Sequence, residues 1–236
     1  MLGLTHMTPA ALLPVVGTPD APMIFDVSVE EDFQNDPHLI PCAVRHAHDA
    51  LPELEARLGG APALIVCQKG RKLSQGVAAW LRAGGTPALY LQGGNHAWRA
   101  LPEAPRIPAA ALPCMVAGQT AWVAETRPGY EALAGAWLVR RFVDRGARIL
   151  FVEAGECASV AERFQGVELA PLADLMARLG LAESRAAAAI ARGPDDAALT
   201  ALTLSHTCDQ ALLAAALPLF DACHDAVRRR DVPEVA

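Results

Sequence analysis

The sequence predicts an α/β fold: a mainly parallel sheet flanked by helices, followed by a mostly helical α+β second domain. Three observations carry that expectation. Short apolar runs at Met23–Val27, Ala63–Val66 and Ala88–Leu91 alternate with segments of helical spacing, the pattern of βαβ units. Residues 102–113 then hold Pro102, Pro105, Pro108 and Pro113 among alanines, which reads as an extended, stiff linker. From about residue 156 the patterns are helical, broken near Gly166, Gly180 and Gly193-Pro194. The 236 residues thus divide into a domain over 1–101, a linker over 102–113 and a second domain over 114–236.

Each element has a local reason. Residues 8–16 suit a short helix, with Thr8 as its cap and Pro9 at its first position. Met23–Val27 is a buried strand, and Ala43-Val44 adds a short one. Leu51, Leu54 and Leu58 fall at helical spacing. Ala63–Val66 is the next strand. Leu73, Val77, Trp80 and Leu81 form an i, i+4, i+7, i+8 stripe on a helix that Gly84-Gly85 stops. Ala88–Leu91 is a strand closed by Gly93-Gly94. In the second half, residues 120–124 read as a strand. Leu133, Trp137, Val139 and Phe142 mark a helix, and residues 147–152 a further strand. Residues 206–230 read as one long helix that Pro218 should kink or break.

Bulk properties narrow the function classes. No run approaches the roughly 18 apolar residues of a spanning helix, and no export signal opens the chain, so a cytoplasmic protein without membrane contact is expected. The net charge is −6, whereas a general nucleic-acid binder shows a broad basic face, so no nucleic-acid partner is expected. Six cysteines are scattered without a CxxC, and they read as reduced thiols, mostly small buried hydrophobes, with neither disulfide framework nor metal site. His46 and His48 alternate, so both should face one side of a strand as a solvated or hydrogen-bonded pair. A homo-oligomer stays open.

One segment points to chemistry. Cys67 ends an apolar run and opens Cys67-Gln68-Lys69-Gly70-Arg71-Lys72-Leu73-Ser74, after which a helix pattern begins. Lys69 and Lys72 are the only lysines in the chain. A cysteine at the C-terminal end of a parallel strand lies at the edge where α/β folds place ligands. A loop curled over its sulfur would turn backbone N–H groups inward, and the following helix would add its positive end. Such a cradle favours a thiolate, a persulfide or a bound oxyanion.

These residues resemble the rhodanese (sulfurtransferase) family over most of residues 5–99. Phe25-Asp26-Val27 is similar to the family's Asp-Val strand end. His38-Leu39-Ile40-Pro41-Cys42-Ala43 is similar to its His-Ile-Pro-Gly-Ala segment, with one residue inserted and cysteine for glycine. Cys67–Lys72 resembles the active-site loop, and Leu91-Gln92-Gly93-Gly94 with Trp98 the closing Leu-x-Gly-Gly-x-x-x-Trp. The resemblance implies Cys67 as the sulfur-accepting nucleophile. It implies Gln68, Lys69, Gly70, Arg71, Lys72 and Leu73 as the substrate-binding cradle, with Lys69 and Arg71 holding the anion. The partners it implies are a small sulfur-containing anion such as thiosulfate and a thiol acceptor, with no cofactor. Ser28 departs from the arginine that many members carry after Asp-Val. Cysteine phosphatases and related arsenate reductases need Cys-x5-Arg; Leu73 stands where the arginine would be, and the loop reads one residue short.

Residues 120–152 resemble the C-terminal domain of the chromate-resistance protein family of ChrB type. The resemblance rests on Trp122-Val123-Ala124-Glu125-Thr126-Arg127-Pro128, on Trp137-Leu138-Val139-Arg140-Arg141-Phe142-Val143-Asp144 and on Ala147–Val152. It implies Arg127, Arg140 and Arg141 as anion contacts. Gly129, Glu131-Ala132 and Gly135-Ala136 replace the family's Lys, Asp-Arg and Cys-Pro, so this domain is expected to be a divergent partner or regulatory module. Together the two resemblances imply sulfur transfer through a Cys67 persulfide in an oxyanion-resistance setting. The alternative is a non-catalytic module that senses an oxyanion or a sulfur species.

Overall fold

The computed structural model describes residues 5–116 and 118–230. It divides into two compact units, Met1–Ala109 and Ala110–Ala236. The first runs β1 (His6–Met7), α1 (Pro9–Leu12), β2 (Met23–Asp26), α2 (Glu30–Gln34), β3 (His38–Leu39), β4 (Ala43–Arg45), α3 (Leu51–Leu58), β5 (Ala63–Val66), α4 (Lys72–Ala83), β6 (Ala88–Leu91), α5 (Gly94–Ala100) and β7 (Ile107–Pro108).

Five strands form a sheet in the order β1-β6-β5-β2-β4, and every pair is parallel. All four β5 residues are buried, which is what an uninterrupted Ala-Leu-Ile-Val run requires in a strand covered on both faces. Leu54 and Leu58 of α3 join Val77, Ala78 and Leu81 of α4 in one core cluster with Phe25 and Ile65. The buried face of α4 is Ser74, Val77, Ala78 and Leu81, an i, i+3, i+4, i+7 set. Trp80, expected on that stripe, lies on the other side and is 57% exposed.

The chain order places the site. From β2 the chain moves outward to β4, and then crosses back through α3 to β5 on the other side of β2. The direction of winding therefore reverses between β2 and β5, and the crevice outside such a reversal is where open parallel sheets take ligands. Asp26 ends β2 and pairs in register with Val66. Cys67 is the next residue.

The expected linker needs correction. Residues 107–108 are not a spacer: they pair antiparallel with His38–Leu39 as a strand of the first unit. Ile107 is buried, and the indole N–H of buried Trp98 donates to the Pro105 carbonyl at 3.0 Å. Asp36 receives ion pairs from Arg106 and from Arg99, and lies 2.8 Å from His38 Nδ1. Burial would raise the Asp36 carboxyl; the hydrogen bond and charge of Arg106, helped by His38, hold it below its ordinary value instead.

The second unit runs β8 (Ala121–Glu125), α6 (Tyr130–Leu138), a π-helical turn over Val139–Val143, β9 (Arg148–Val152), α7 (Cys157–Arg163), β10 (Val167–Glu168), α8 (Leu172–Arg178), α9 (Arg185–Arg192), α10 (Asp196–Ser205) and α11 (Asp209–Arg230). Its three strands are parallel in the order β10-β8-β9, and helices make up most of the rest. Helix α11 continues through Pro218, so the expected break does not occur. No helix among the described residues is long and apolar enough to cross a membrane.

Two smaller expectations are also corrected. His46 and His48 lie past the end of β4, and His46 Nδ1 meets the Ala47 carbonyl rather than His48. Of the six cysteines only Cys67 is buried, while Cys114 and Cys208 are exposed.

Candidate functional site

Cys67 follows β5 and is 5% exposed. Its loop is shaped by backbone packing more than by side chains. Gly70, Gly93 and Gly94 all take positive φ, at 61°, 71° and 58°. A methyl at Gly94 would overlap the Cys67 carbonyl oxygen and the Gly70 amide nitrogen, and one at Gly70 would overlap the Leu91 carbonyl. The 91–94 turn therefore touches the 67–70 loop backbone to backbone, and only glycine allows that approach.

The contact orients the loop. The Asn95 amide donates to the Cys67 carbonyl at 3.1 Å and the His96 amide to the Gln68 carbonyl at 3.0 Å. With those carbonyls tied toward α5, the loop's N–H groups are left for the other side. Among the described residues, none of the backbone N–H groups of 68–73 has a protein acceptor. Such unpaired donors, next to Cys67 and at the start of the 12-residue helix α4, are the kind of backbone groups that bind anions.

A side chain joins them. Ser74, fully buried in the first turn of α4, places Oγ 3.1 Å from Cys67 Sγ and 3.4 Å from the Arg71 carbonyl. Beside a thiol, the hydroxyl can accept from S–H and donate to Arg71. Beside a thiolate, the same hydroxyl can rotate and donate to sulfur. Ser74 stands inside the quoted loop segment, yet sequence reasoning gave it no role. Its signal was its place in the first turn after the loop, where a hydroxyl can face back toward the strand end.

The other loop residues separate into two groups. Lys69, Arg71 and Lys72 are exposed at the rim. The Gln68 side-chain amide donates to the Asp32 carbonyl at 3.1 Å, and Gln75 donates to the Gly70 carbonyl at 3.1 Å, so both hold the loop in place. Leu73 is a partial correction: its side chain packs against the core cluster, so only its backbone is left to the loop.

Asp26 supports the loop from below. It is 1% exposed and accepts from the Ser28 amide at 2.8 Å, from Arg45 at 3.3 Å and from the Asn95 side chain at 2.7 Å. Asn95 thus joins the Asp26 carboxylate to the Cys67 carbonyl. A guanidinium reaches this edge although residue 28 is serine. Arg45 supplies it, donating also to the Ser28 carbonyl at 2.7 Å and stacking 4.0 Å from the Phe33 ring. The Ser28 hydroxyl is buried without a protein partner, beside a hollow of about 100 Å³ that Gln68, Asn95 and His96 also line.

In the second unit the three arginines do not converge. Arg127 is exposed, with φ 55°, and its amide donates to Asp209 at 3.2 Å. Burial, then the charge of Arg141, push the Arg140 guanidinium below its ordinary value, and it donates to the Ala147 carbonyl at 3.3 Å. Arg141 is engaged in a fork by both Asp221 oxygens, at 2.7 and 2.8 Å, while the Trp137 indole donates to the same carboxylate at 2.8 Å. Its expected role as an anion contact is therefore corrected to a structural one. Arg127 alone lines a crevice of about 550 Å³ outside the ends of β8 and β10, together with Glu125, Glu131, Cys157 and Glu168. Burial, with the carboxylates of Glu125 and Glu168, raises the Cys157 thiol above its ordinary value. Three carboxylates against one guanidinium make this crevice a poor anion site.

His224 is a further perturbed group in the second unit. It is buried at 3% exposure against Trp137 and Phe142, with ring centroids 5.6 and 5.7 Å away. Burial, assisted by Arg228, lowers it to about 4 despite the opposing charge of Asp221. No cluster of three or more metal-ligating side chains occurs among the described residues.

Residues 122–169 match the family model described as ChrB, C-terminal domain. That span holds β8, α6, β9, α7, β10 and most of the crevice, and the sequence resemblance lies within the same region. Solved structures resemble the chain over other extents. A rhodanese-like domain protein from Staphylococcus aureus is 27% identical over 40% of this chain and 91% of its own, with a TM-score of 0.36. The protein SSP1007 of Staphylococcus saprophyticus is 21% identical over 39% of this chain and 89% of its own, with a TM-score of 0.35. A thiosulfate sulfurtransferase from Pseudomonas aeruginosa is 24% identical over 42% of this chain but only 18% of its own length, with a TM-score of 0.35. No curated protein matches the chain.

Proposed function

We propose that the chain is a sulfurtransferase of rhodanese type, with Cys67 as its nucleophile. The observation that carries this reading is the buried sulfur of Cys67 inside a loop whose backbone N–H groups have no protein acceptor, with the Ser74 hydroxyl 3.1 Å away. The Cys67 thiolate attacks the outer sulfur of thiosulfate or a similar donor. The donor's S–S bond breaks, sulfite leaves with the electron pair, and a Cys67 persulfide anion remains. An acceptor nucleophile, cyanide or a thiolate, then takes that outer sulfur and returns Cys67 as thiolate. Charge balances at each step, no electron carrier is required, and the covalent intermediate implies ping-pong kinetics. The N–H cradle serves the thiolate and the persulfide alike, and Lys69, Arg71 and Lys72 draw the dianionic donor to the rim.

Incubation with thiosulfate followed by intact-mass measurement tests this. One sulfur, roughly 32 Da for the atom transferred in covalent catalysis, should appear on the wild type and not on Cys67→Ser. The second reading, a non-catalytic module sensing oxyanions or sulfur species, is favoured by the ChrB-type match over residues 122–169. An unmodified wild type that forms no thiocyanate from cyanide would leave that reading in the lead.

A further inference from the structure

Charge is distributed unevenly along this acidic chain. Of its 26 carboxylate side chains, none lies between Glu55 and Glu103, while Arg57, Lys69, Arg71, Lys72, Arg82 and Arg99 all do. That interval contains the Cys67 loop and the whole of α4. Not every one of these cations is available. Arg99 is paired with Asp36, Arg82 donates to the Ala88 carbonyl at 2.7 Å, and the Arg57 guanidinium stacks over the Phe25 ring. Lys69, Arg71 and Lys72 remain exposed beside the cysteine.

The outer face of α4 continues from them. Lys72, Gln75, Gly76, Ala79, Trp80 and Ala83 are all exposed and recur at helical spacing. The stripe is small-sided and flat at Gly76, where an added methyl would meet nothing within 4 Å. One large residue rises from it: Trp80 is 57% exposed, whereas Trp98, Trp122 and Trp137 are each at 1% or less. An exposed tryptophan over small residues, with three cations at one end and no carboxylate on the helix, is the make-up of an anchor with a basic rim.

We propose that this face of α4 and the loop at its foot form the docking surface for an acidic, thiol-bearing protein that takes sulfur from Cys67. The proposal rests on the sulfurtransferase reading and adds its acceptor. A small acceptor needs only the rim. Trp80, two turns along α4 from Lys72, can engage only an acceptor long enough to reach along the helix, a protein or an extended peptide. Complementary charge selects an acidic one and speeds its encounter. On docking, a cysteine thiolate of the partner attacks the outer sulfur of the Cys67 persulfide. The S–S bond breaks, Cys67 leaves as thiolate, and the partner carries the persulfide anion.

The test uses the full chain and two cysteine peptides that differ only in being flanked by four glutamates or by four lysines. After loading with thiosulfate, the Glu-flanked peptide should accept sulfur about 10-fold faster at low salt, with the advantage collapsing near 0.5 M salt. Trp80→Ala and Ala79→Glu should each slow that transfer about 5-fold or more, while persulfide formation and transfer to cyanide stay unchanged. Equal rates for the two peptides, or variants indifferent to either, overturn the proposal. So does a Trp80→Ala change that only dissociates an oligomer, since the face would then belong to a second copy. If the wild type takes no sulfur, the enzyme reading fails and the docking surface is still decided in Cys67→Ser. Salt-sensitive quenching of Trp80 fluorescence by the Glu-flanked peptide upholds the surface, and its absence overturns it.

Discussion

The Ser74 hydroxyl stands 3.1 Å from the Cys67 sulfur, and both groups are buried. Among the described residues it is the one side chain hydrogen-bonded to the sulfur. A hydrogen bond to a charged group contributes about 1.5–3 kcal/mol. Ser74→Ala should therefore slow persulfide formation by roughly 10- to 100-fold. Alkylation of Cys67 by iodoacetamide at neutral pH should slow with it, and Ser74→Thr should restore part of both. An alanine variant with wild-type single-turnover rates would remove Ser74 from the site.

Gly94 and Gly60 share a positive φ, at 58° and 84°, but not their surroundings. Gly94→Ala drives a methyl into the Cys67 carbonyl and the Gly70 amide, whereas Gly60→Ala meets nothing within 4 Å. The first should cost more than about 3 kcal/mol and abolish persulfide formation, because the loop must move. The second should cost about 1 kcal/mol, from backbone strain alone, and leave the chemistry intact. Urea denaturation of both variants beside a thiosulfate assay checks the contrast.

Asp26 is a buried carboxylate whose charged partner is Arg45, at 3.3 Å. Arg45→Met should destabilise the first unit by roughly 2–3 kcal/mol. That is below the 3–5 kcal/mol typical of a wholly buried pair, because Arg45 keeps a solvated edge and two amides still serve Asp26. Persulfide formation should weaken as well, since Asn95 passes any shift of Asp26 to the Cys67 carbonyl. An Asp26→Asn, Arg45→Met double variant should recover part of the lost stability by removing the stranded charge.

His224 makes the second unit acid-sensitive. Its folded value is about 4 against an ordinary 6.5, so below pH 6.5 the unfolded chain binds a proton that the folded chain refuses. Stability is complete above about pH 6.5 and declines as pH falls toward 4, by on the order of 3 kcal/mol for a depression of this size. His224→Phe keeps a ring against Trp137 and Phe142 and should flatten that slope. Denaturation midpoints at pH 7, 5.5 and 4.5 provide the measurement.

What the sequence revealed follows from where each signal is stored. The strands Met23–Asp26 and Ala63–Val66 and the helix after Cys67 were legible because burial on both faces, or on one helical stripe, writes itself into adjacent residues. Strands of two residues, such as His38–Leu39 and Val167–Glu168, carry no period to detect. Ser74, Asn95 and Arg45 were missed as supports because each acts through an approach between elements distant in sequence or folded back on the loop. Trp80 was misplaced because i+7 lies near the edge of an apolar stripe, where one residue can turn to either side. Arg141 read as an anion contact because its carboxylate, Asp221, lies 80 residues away.

The strand Ile107–Pro108 has a consequence for anyone who cuts this chain. A fragment ending at residue 101 would strip Leu39 of its pairing partner, leave the Trp98 indole without the Pro105 carbonyl and free Asp36 from Arg106. The proline-rich stretch is a clasp on the first unit, so proteases should spare it through Ala109. An autonomous fragment of the first unit should need to extend at least that far.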